Sequence, residues 1–271
     1  SYANLSGQDL SNIDFSHANL VGADISGANL TNAKFDVSNL KGVDLQNADL
    51  AGASFVQVDF TKIKNKSLAG ADLSEASFAH SNLSGVNLSG TFLKATNFWK
   101  TNLSGVDFTV TDIADGLLFI EANLSNSNFE GVNLSPQNHY LTVFQNKAYL
   151  KNVDHDLIVK NLFGEYHGWS LRIISVEDRG NDLAVNYFSQ NTFAFANLEN
   201  ANFKNADLRW TDLKDANLTN ANLSGADLRK AFLDKVDLSN ANLEGANLEG
   251  AIIDNTNFAN LKCINHPICN S

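Results

Sequence analysis

The chain has 271 residues and a net charge of −11, from 19 basic and 30 acidic side chains, with 38 Asn, 18 Phe, 2 Pro and no Met. Lys and Arg read as dispersed, which argues against direct nucleic-acid or anionic-lipid binding. No run reaches the roughly 18 to 20 apolar residues of a membrane-spanning helix. With 44% apolar and 10% aromatic residues the chain can fill a core, so disorder is excluded as well. A start at Ser1, with no charged-then-apolar leader, reads as a processed or trimmed product.

From the N-terminus, large apolar residues recur every five positions: Leu5, Leu10, Phe15, Leu20, Ile25 and onward to Phe60. The series resumes over Leu68–Ile113, Phe119–Leu134 and Phe193–Phe258, giving 40 apolar centres in all. Two residues before each centre stands a small residue, most often Ala, and between them Asn or Asp, as in Ala28-Asn29-Leu30. A period of five matches neither the helix nor simple strand alternation. It fits a solenoid in which each pentad forms one short side of a coil and then turns a corner. The centre and the small residue both point inward, and Gly, Asn, Asp and Ser serve the turns.

This A-[ND]-[LF]-x-x pattern, over residues 3–134 and 191–260, resembles the pentapeptide-repeat family. The resemblance implies an all-β fold, a right-handed quadrilateral parallel β-helix with four pentads per coil. Residues twenty apart should then stack. Phe15, Phe35 and Phe55 obey that spacing. The step from Phe60 to Leu68 holds three extra residues and the step from Ile113 to Phe119 one extra, which keeps Phe78, Phe98 and Phe119 in the same column. Leu134 ends the tract on the second side, and the next tract starts with Phe193, as the third side would. Residues 1–134 and 193–260 therefore read as one solenoid of about ten coils, on the order of 48 Å tall. The rival arrangement is two β-helices joined by a central domain.

Residues 135–192 lack the pentad pattern and read as a lateral insertion. Within it, Ser170 to Phe188 forms a predicted β-hairpin around Arg179-Gly180-Asn181-Asp182, and Tyr149 to Phe163 a strand or short helix. Apolar residues at outward positions mark an insertion-docking or partner surface: Phe92, Trp99, Leu117, Leu118, Trp210 and Phe232, with Ile252 beyond them. His139, Asp154-His155-Asp156 and Glu165-Tyr166-His167 match no ligand spacing, and His17 and His80 lie three coils apart, so no metal is expected. No nucleophile elbow or phosphate-cradling loop is present, so neither an enzyme nor a cofactor is expected.

Residues 261–271 read as a C-terminal cap. Cys263 and Cys269 flank Pro267 there; as a disulfide they would close the open coil and point to an oxidising compartment, and as free thiols they would not. The N-terminal edge enters the repeat at Ala3 without a cap and is open to pairing with another chain. The family resemblance implies two functional readings. One is an exported interaction scaffold of the thylakoid lumen or periplasm, with an unknown protein partner and the insertion giving specificity. The other is a cytoplasmic, DNA-mimicking binder of DNA gyrase, a type II topoisomerase. Its acidic column would be Asp9, Asp49, Asp72, Asp112, Asp207 and Asp227 on the second side, interrupted by Phe92.

Overall fold

The computed structural model describes residues 3–113, 116–135 and 191–261 in full, and the backbone of 137–143, 171–179 and 182–189. The pentad is the unit of the fold, and its logic is visible in residues 28–32. Four of its five amides are bonded by backbone. Ala28 N–H donates to Ile25 O at 3.3 Å, closing the preceding turn; Asn29 N–H donates to Gln8 O at 2.9 Å in the coil below. Leu30 and Asn32 N–H donate to Asp49 O and Ala51 O in the coil above, at 2.7 and 2.8 Å. The fifth, Thr31 N–H, has no backbone partner and donates to the Asn29 side chain at 3.1 Å. Asn or Asp one residue before the centre is therefore the acceptor that completes the backbone's hydrogen bonding.

The turn itself dictates the last position of the pentad. Asn32 has φ +57°, and Gly27 in the pentad before has φ +62°. A left-handed residue at this point of a type II turn favours Gly, and otherwise Asn. Asparagine thus has two jobs in the repeat, acceptor before the centre and left-handed turn residue after it.

Parallel pairing stacks the coils on four sides. The third side is unbroken: Asp14, Lys34, Ser54, Ser77, Asn97, Leu118, Thr192, Asp212, Phe232 and Ile252 pair in succession. Leu118 pairs with Thr192, Asn123 with Asn197, Asn128 with Asn202 and Asn133 with Asp207, so the ladder crosses the gap between the two repeat tracts. Inside, Phe15, Phe35, Phe55, Phe78, Phe98, Phe119 and Phe193 stack with centroids 4.8–5.5 Å apart. Phe119 and Phe193, distant in sequence, lie 4.8 Å apart. Phe108, Phe129 and Phe203 form a second stack at 4.4 and 4.9 Å, meeting the first edge-on. Phe35 through Phe193 are fully buried, each contributing roughly 1.5–3 kcal/mol of apolar burial.

Outside, the ladders carry asparagine amides. Asn102 donates to Asn82, Asn123 to Asn102, Asn197 to Asn123 and Asn217 to Asn197, at 3.0–3.3 Å. An amide both donates and accepts, so Asn stacks on Asn where carboxylates would repel.

The three extra residues after Phe60 form a bulge built of two 3₁₀ turns, Phe60–Lys62 and Lys64–Lys66. Lys64 N–H bonds to Val43 O below (2.8 Å), while Lys66 O accepts from Asn87 N above (2.8 Å). The ladder splits around the bulge, as when extra residues oppose one partner.

Between the tracts lies a three-stranded antiparallel sheet of order β1-β3-β2: β1 Gln137–Val143, β2 Leu171–Arg179 and β3 Asp182–Ser189. β2 and β3 are the expected hairpin, with Arg179 opposite Asp182 and an irregularity between Ile173 and Ser175. β1, which the sequence did not suggest, pairs along β3 from Gln137 opposite Ser189. Tyr149 to Phe163 lies outside the described residues.

Candidate functional site

The six apolar residues expected to form one surface fall into five settings. Leu117 is fully buried and belongs to the core, filling the inward position two before Phe119. Its assignment to a docking surface is corrected by the register: the extra residue lies before Gly116, which stacks over Ala95 as a left-handed corner residue. Trp99 sits at the corner after the third side and is held by its own coil neighbours. His80 meets it edge-on at 4.8 Å, Lys100 Nζ lies 4.8 Å from its ring, and its Nε1 donates to Glu121 at 3.4 Å. Phe92, 50% exposed, lies on the second side between Asp72 and Asp112. Trp210, 37% exposed, stands at the corner before the third side with Lys230 Nζ 4.6 Å from its ring.

Leu118 and Phe232 do share a face, the outward column of the third side. Its burial is uneven. Asp14 and Lys34 are exposed at one end and Ile252 at the other, but Leu118, Thr192 and Asp212 are only 7%, 0% and 7% exposed. These three outward side chains are the most buried of the column, whose other members are exposed or half-buried. Thr192 and Asp212 carried no sequence signal, because polar residues at outward positions read as solvated. Beyond them a groove is lined by Asp212, Lys214, Phe232, Lys235, Ile252 and Asp254.

Asn191 holds the junction beneath this face and was not singled out in the sequence. Its side chain is buried, accepts from Leu117 N–H at 3.0 Å and donates to Leu134 O at 3.0 Å. An amide at a position usually filled by Ala was the available signal. It supplies the turn bonds that the two irregular corners lack, one before Leu117 and one after Leu134.

The acidic column of the second side is partly neutralised. Arg209 chelates Asp207 with bonds of 2.6 and 2.9 Å, and Arg229 does the same to Asp227. The Arg229 hydrogen bonds hold the Asp227 carboxyl below its ordinary pKa. Asp49 and Asp72 stack directly in the ladder. His155, His167, Cys263 and Cys269 lie outside the described residues, and of His139 only the backbone is described. Among the described residues no cluster of three metal-binding side chains forms, and no helix is long and apolar enough to cross a membrane.

No curated protein matches this sequence. Among solved structures, the chain is similar to HetL, a pentapeptide repeat protein involved in heterocyst differentiation regulation in the cyanobacterium Nostoc sp. strain PCC 7120. The identity is 24%, covering 94% of this chain and 87% of that one, with a TM-score of 0.40. QnrB1, a plasmid-mediated fluoroquinolone resistance protein, is 12% identical over 98% of this chain and 96% of its own, with a TM-score of 0.33. A pentapeptide repeat protein from the thylakoid lumen of Arabidopsis thaliana is 27% identical over 45% of this chain and 69% of its own, with a TM-score of 0.17. The pentapeptide-repeat family model matches in 8 copies, over residues 1–36, 38–62, 71–109, 187–220 and 221–260. With most of its length in these repeats, their acceptor, centre and turn positions all accounted for, the chain belongs to the pentapeptide-repeat family and carries its right-handed β-helix.

Proposed function

We propose that this protein is a non-enzymatic protein-interaction scaffold in which a continuous stack of about ten coils carries residues 135–192 as a lateral, specificity-giving insertion. In this reading the insertion packs over the third side. The supporting observation is the burial of the outward side chains of Leu118, Thr192 and Asp212 in a column exposed at both ends. An extended rigid face, with a separate sheet beside it, suits recognition of another protein more than chemistry. The test is iodide quenching of tryptophan fluorescence in a Trp169→Phe background, with and without residues 136–190. Removal of the segment should raise quenching of Trp210 and leave Trp99, held by His80, Lys100 and Glu121, unchanged. Equal quenching of Trp210 in both chains would overturn this arrangement.

The proposal places the scaffold in an extracytoplasmic compartment, the thylakoid lumen or periplasm, on the strength of Cys263 and Cys269 as a capping disulfide. A thiol count on unreduced protein tests it: no free thiol supports export, and two free thiols overturn it. The DNA-mimicking reading is disfavoured by the arginines on Asp207 and Asp227, which remove negative charge where a phosphate mimic needs it. Inhibition of DNA gyrase in a supercoiling assay would restore it.

A further inference from the structure

The bulge after Phe60 changes the charge reading of the sequence. Basic residues that looked dispersed gather there: Lys62, Lys64 and Lys66 lie on the bulge, and Lys41 lies on the coil below, all four exposed. The bulge is anchored at its base. Asp59 accepts from Thr61 N–H at 3.0 Å, Ile63 is buried, and Lys62 O accepts from Gly42 N–H at 2.7 Å. Lys64 is committed within the protein, donating to Asp44 at 2.7 Å, whereas Lys41, Lys62 and Lys66 make no ion pair among the described residues. Asn65 and Lys66 are consecutive non-glycine residues with φ +55° and +47°, a conformation disfavoured for both. A plain five-residue step would avoid that cost and keep the ladder whole.

Beside the bulge the surface is indented. A groove is lined by Val21, Gly22, Asp24, Lys41, Gly42, Asp44 and Lys64. Its floor is low because two glycines stack: a Cβ on Gly42 would lie 3.6 Å from Gly22 Cα. Lys41 and Lys64 stand beside this floor together with Asp24 and Asp44, and the cationic charge left uncommitted is that of Lys41, Lys62 and Lys66.

We propose that this lysine knuckle and its groove are a docking point for a short carboxylate-rich segment of a partner protein, separate from the third-side surface. The protein's charge is −11, so a patch of opposite sign steers an acidic partner to one place. The footprint favours a short peptide over an extended polyanion. Lys41, Lys62 and Lys66 stand on one bulge and the coil beneath it, a footprint that a short peptide covers, whereas a duplex would run on to the acidic ladder of the second side at Asp49 and Asp72.

The experiment measures binding of fluorescein-labelled hexaglutamate to the full chain by anisotropy, at about 50 and about 300 mM NaCl. Binding should be present at the lower salt and about tenfold weaker at the higher. The variant Lys41→Glu/Lys62→Glu/Lys66→Glu should lose it by about tenfold or more, and Lys34→Glu/Lys94→Glu/Lys235→Glu, with the same change of net charge, should keep it. All six side chains are charged and solvent-facing, and far-UV circular dichroism checks that the coils persist. No binding at low salt, equal loss in both variants, or tighter binding of duplex DNA than of hexaglutamate would each overturn the proposal.

Discussion

Replacing Asn191 by Ala tests how the solenoid passes its largest interruption. The side chain is 1% exposed and makes two bonds, from Leu117 N–H and to Leu134 O, both 3.0 Å. In a regular pentad the first would be an amide–carbonyl turn bond, such as Ala122 N–H to Phe119 O. Alanine leaves a buried donor and a buried acceptor without partners, each costing about 1–3 kcal/mol. Some water reaches the space the amide vacates, so the expected loss is about 3 kcal/mol. Asn191→Asp keeps an acceptor for Leu117 but sets a carboxylate against the Leu134 carbonyl, and should cost at least as much. Urea unfolding followed by circular dichroism gives the global loss. Hydrogen exchange at Leu117 N–H reports the junction itself, which matters because coils lose structure locally as well as together. An Asn191→Ala protein within about 0.5 kcal/mol of the parent, or an Asn191→Asp protein as stable as the parent, would refute this account of the junction.

Phe119→Ala removes a buried ring stacked between Phe98 and Phe193, and should cost about 4 kcal/mol in the same unfolding experiment. Ser127→Ala should be neutral or stabilise by up to about 1 kcal/mol, because its buried hydroxyl has no hydrogen-bond partner and Ala is the common residue at that position; a loss above that size would contradict this. Acid should unfold the protein through its ladder carboxylates. The carboxyls of Asp24 and Asp237, which accept from the hydroxyls and amides of Ser26 and Ser239, titrate below their usual range. At Asp44 burial pushes upward, but the bonds from Lys64 and Gln46 prevail and the net direction is also downward. A depressed folded pKa stabilises above the unfolded value of about 3.9 and is lost as pH falls through the folded one. The melting temperature should therefore be level above about pH 5 and fall steeply below about pH 4; a melting temperature that stays level to about pH 2.5 would refute it.

The coil was legible because its constraints are local and repeated. Each pentad must supply an inward small residue, an acceptor for its own fifth amide, a large centre and a left-handed turn residue. These demands recur at fixed spacing whatever the partner coil is. The stacking of Phe193 on Phe119 followed from counting alone, since a five-residue side admits no slip without turning every centre outward. The setting of the six apolar residues expected to form a docking surface was less legible. Leu117 looked like an outlier on an outer corner until the position of the extra residue fixed it as core. Trp99 looked available, yet Lys100 beside it in the chain and His80 and Glu121 from adjacent coils hold it. Thr192 and Asp212 are buried despite outward positions.

The sequence by itself determined the repeat, its four-fold register and the columns of phenylalanine, because those follow from which residue types a short side and a tight corner tolerate. The tertiary structure alone decided how the breaks are handled. Asn191 reaches Leu117 and Leu134, 74 and 57 residues before it in the chain, and the bond from Gly42 N–H to Lys62 O sets the coil that carries Lys41 under the bulge that carries Lys62, Lys64 and Lys66. The net charge describes the chain only on average: Lys62, Lys64 and Lys66 fall within five residues, and folding adds Lys41 from the coil below, because charge acts over a few ångströms rather than over the length of the chain.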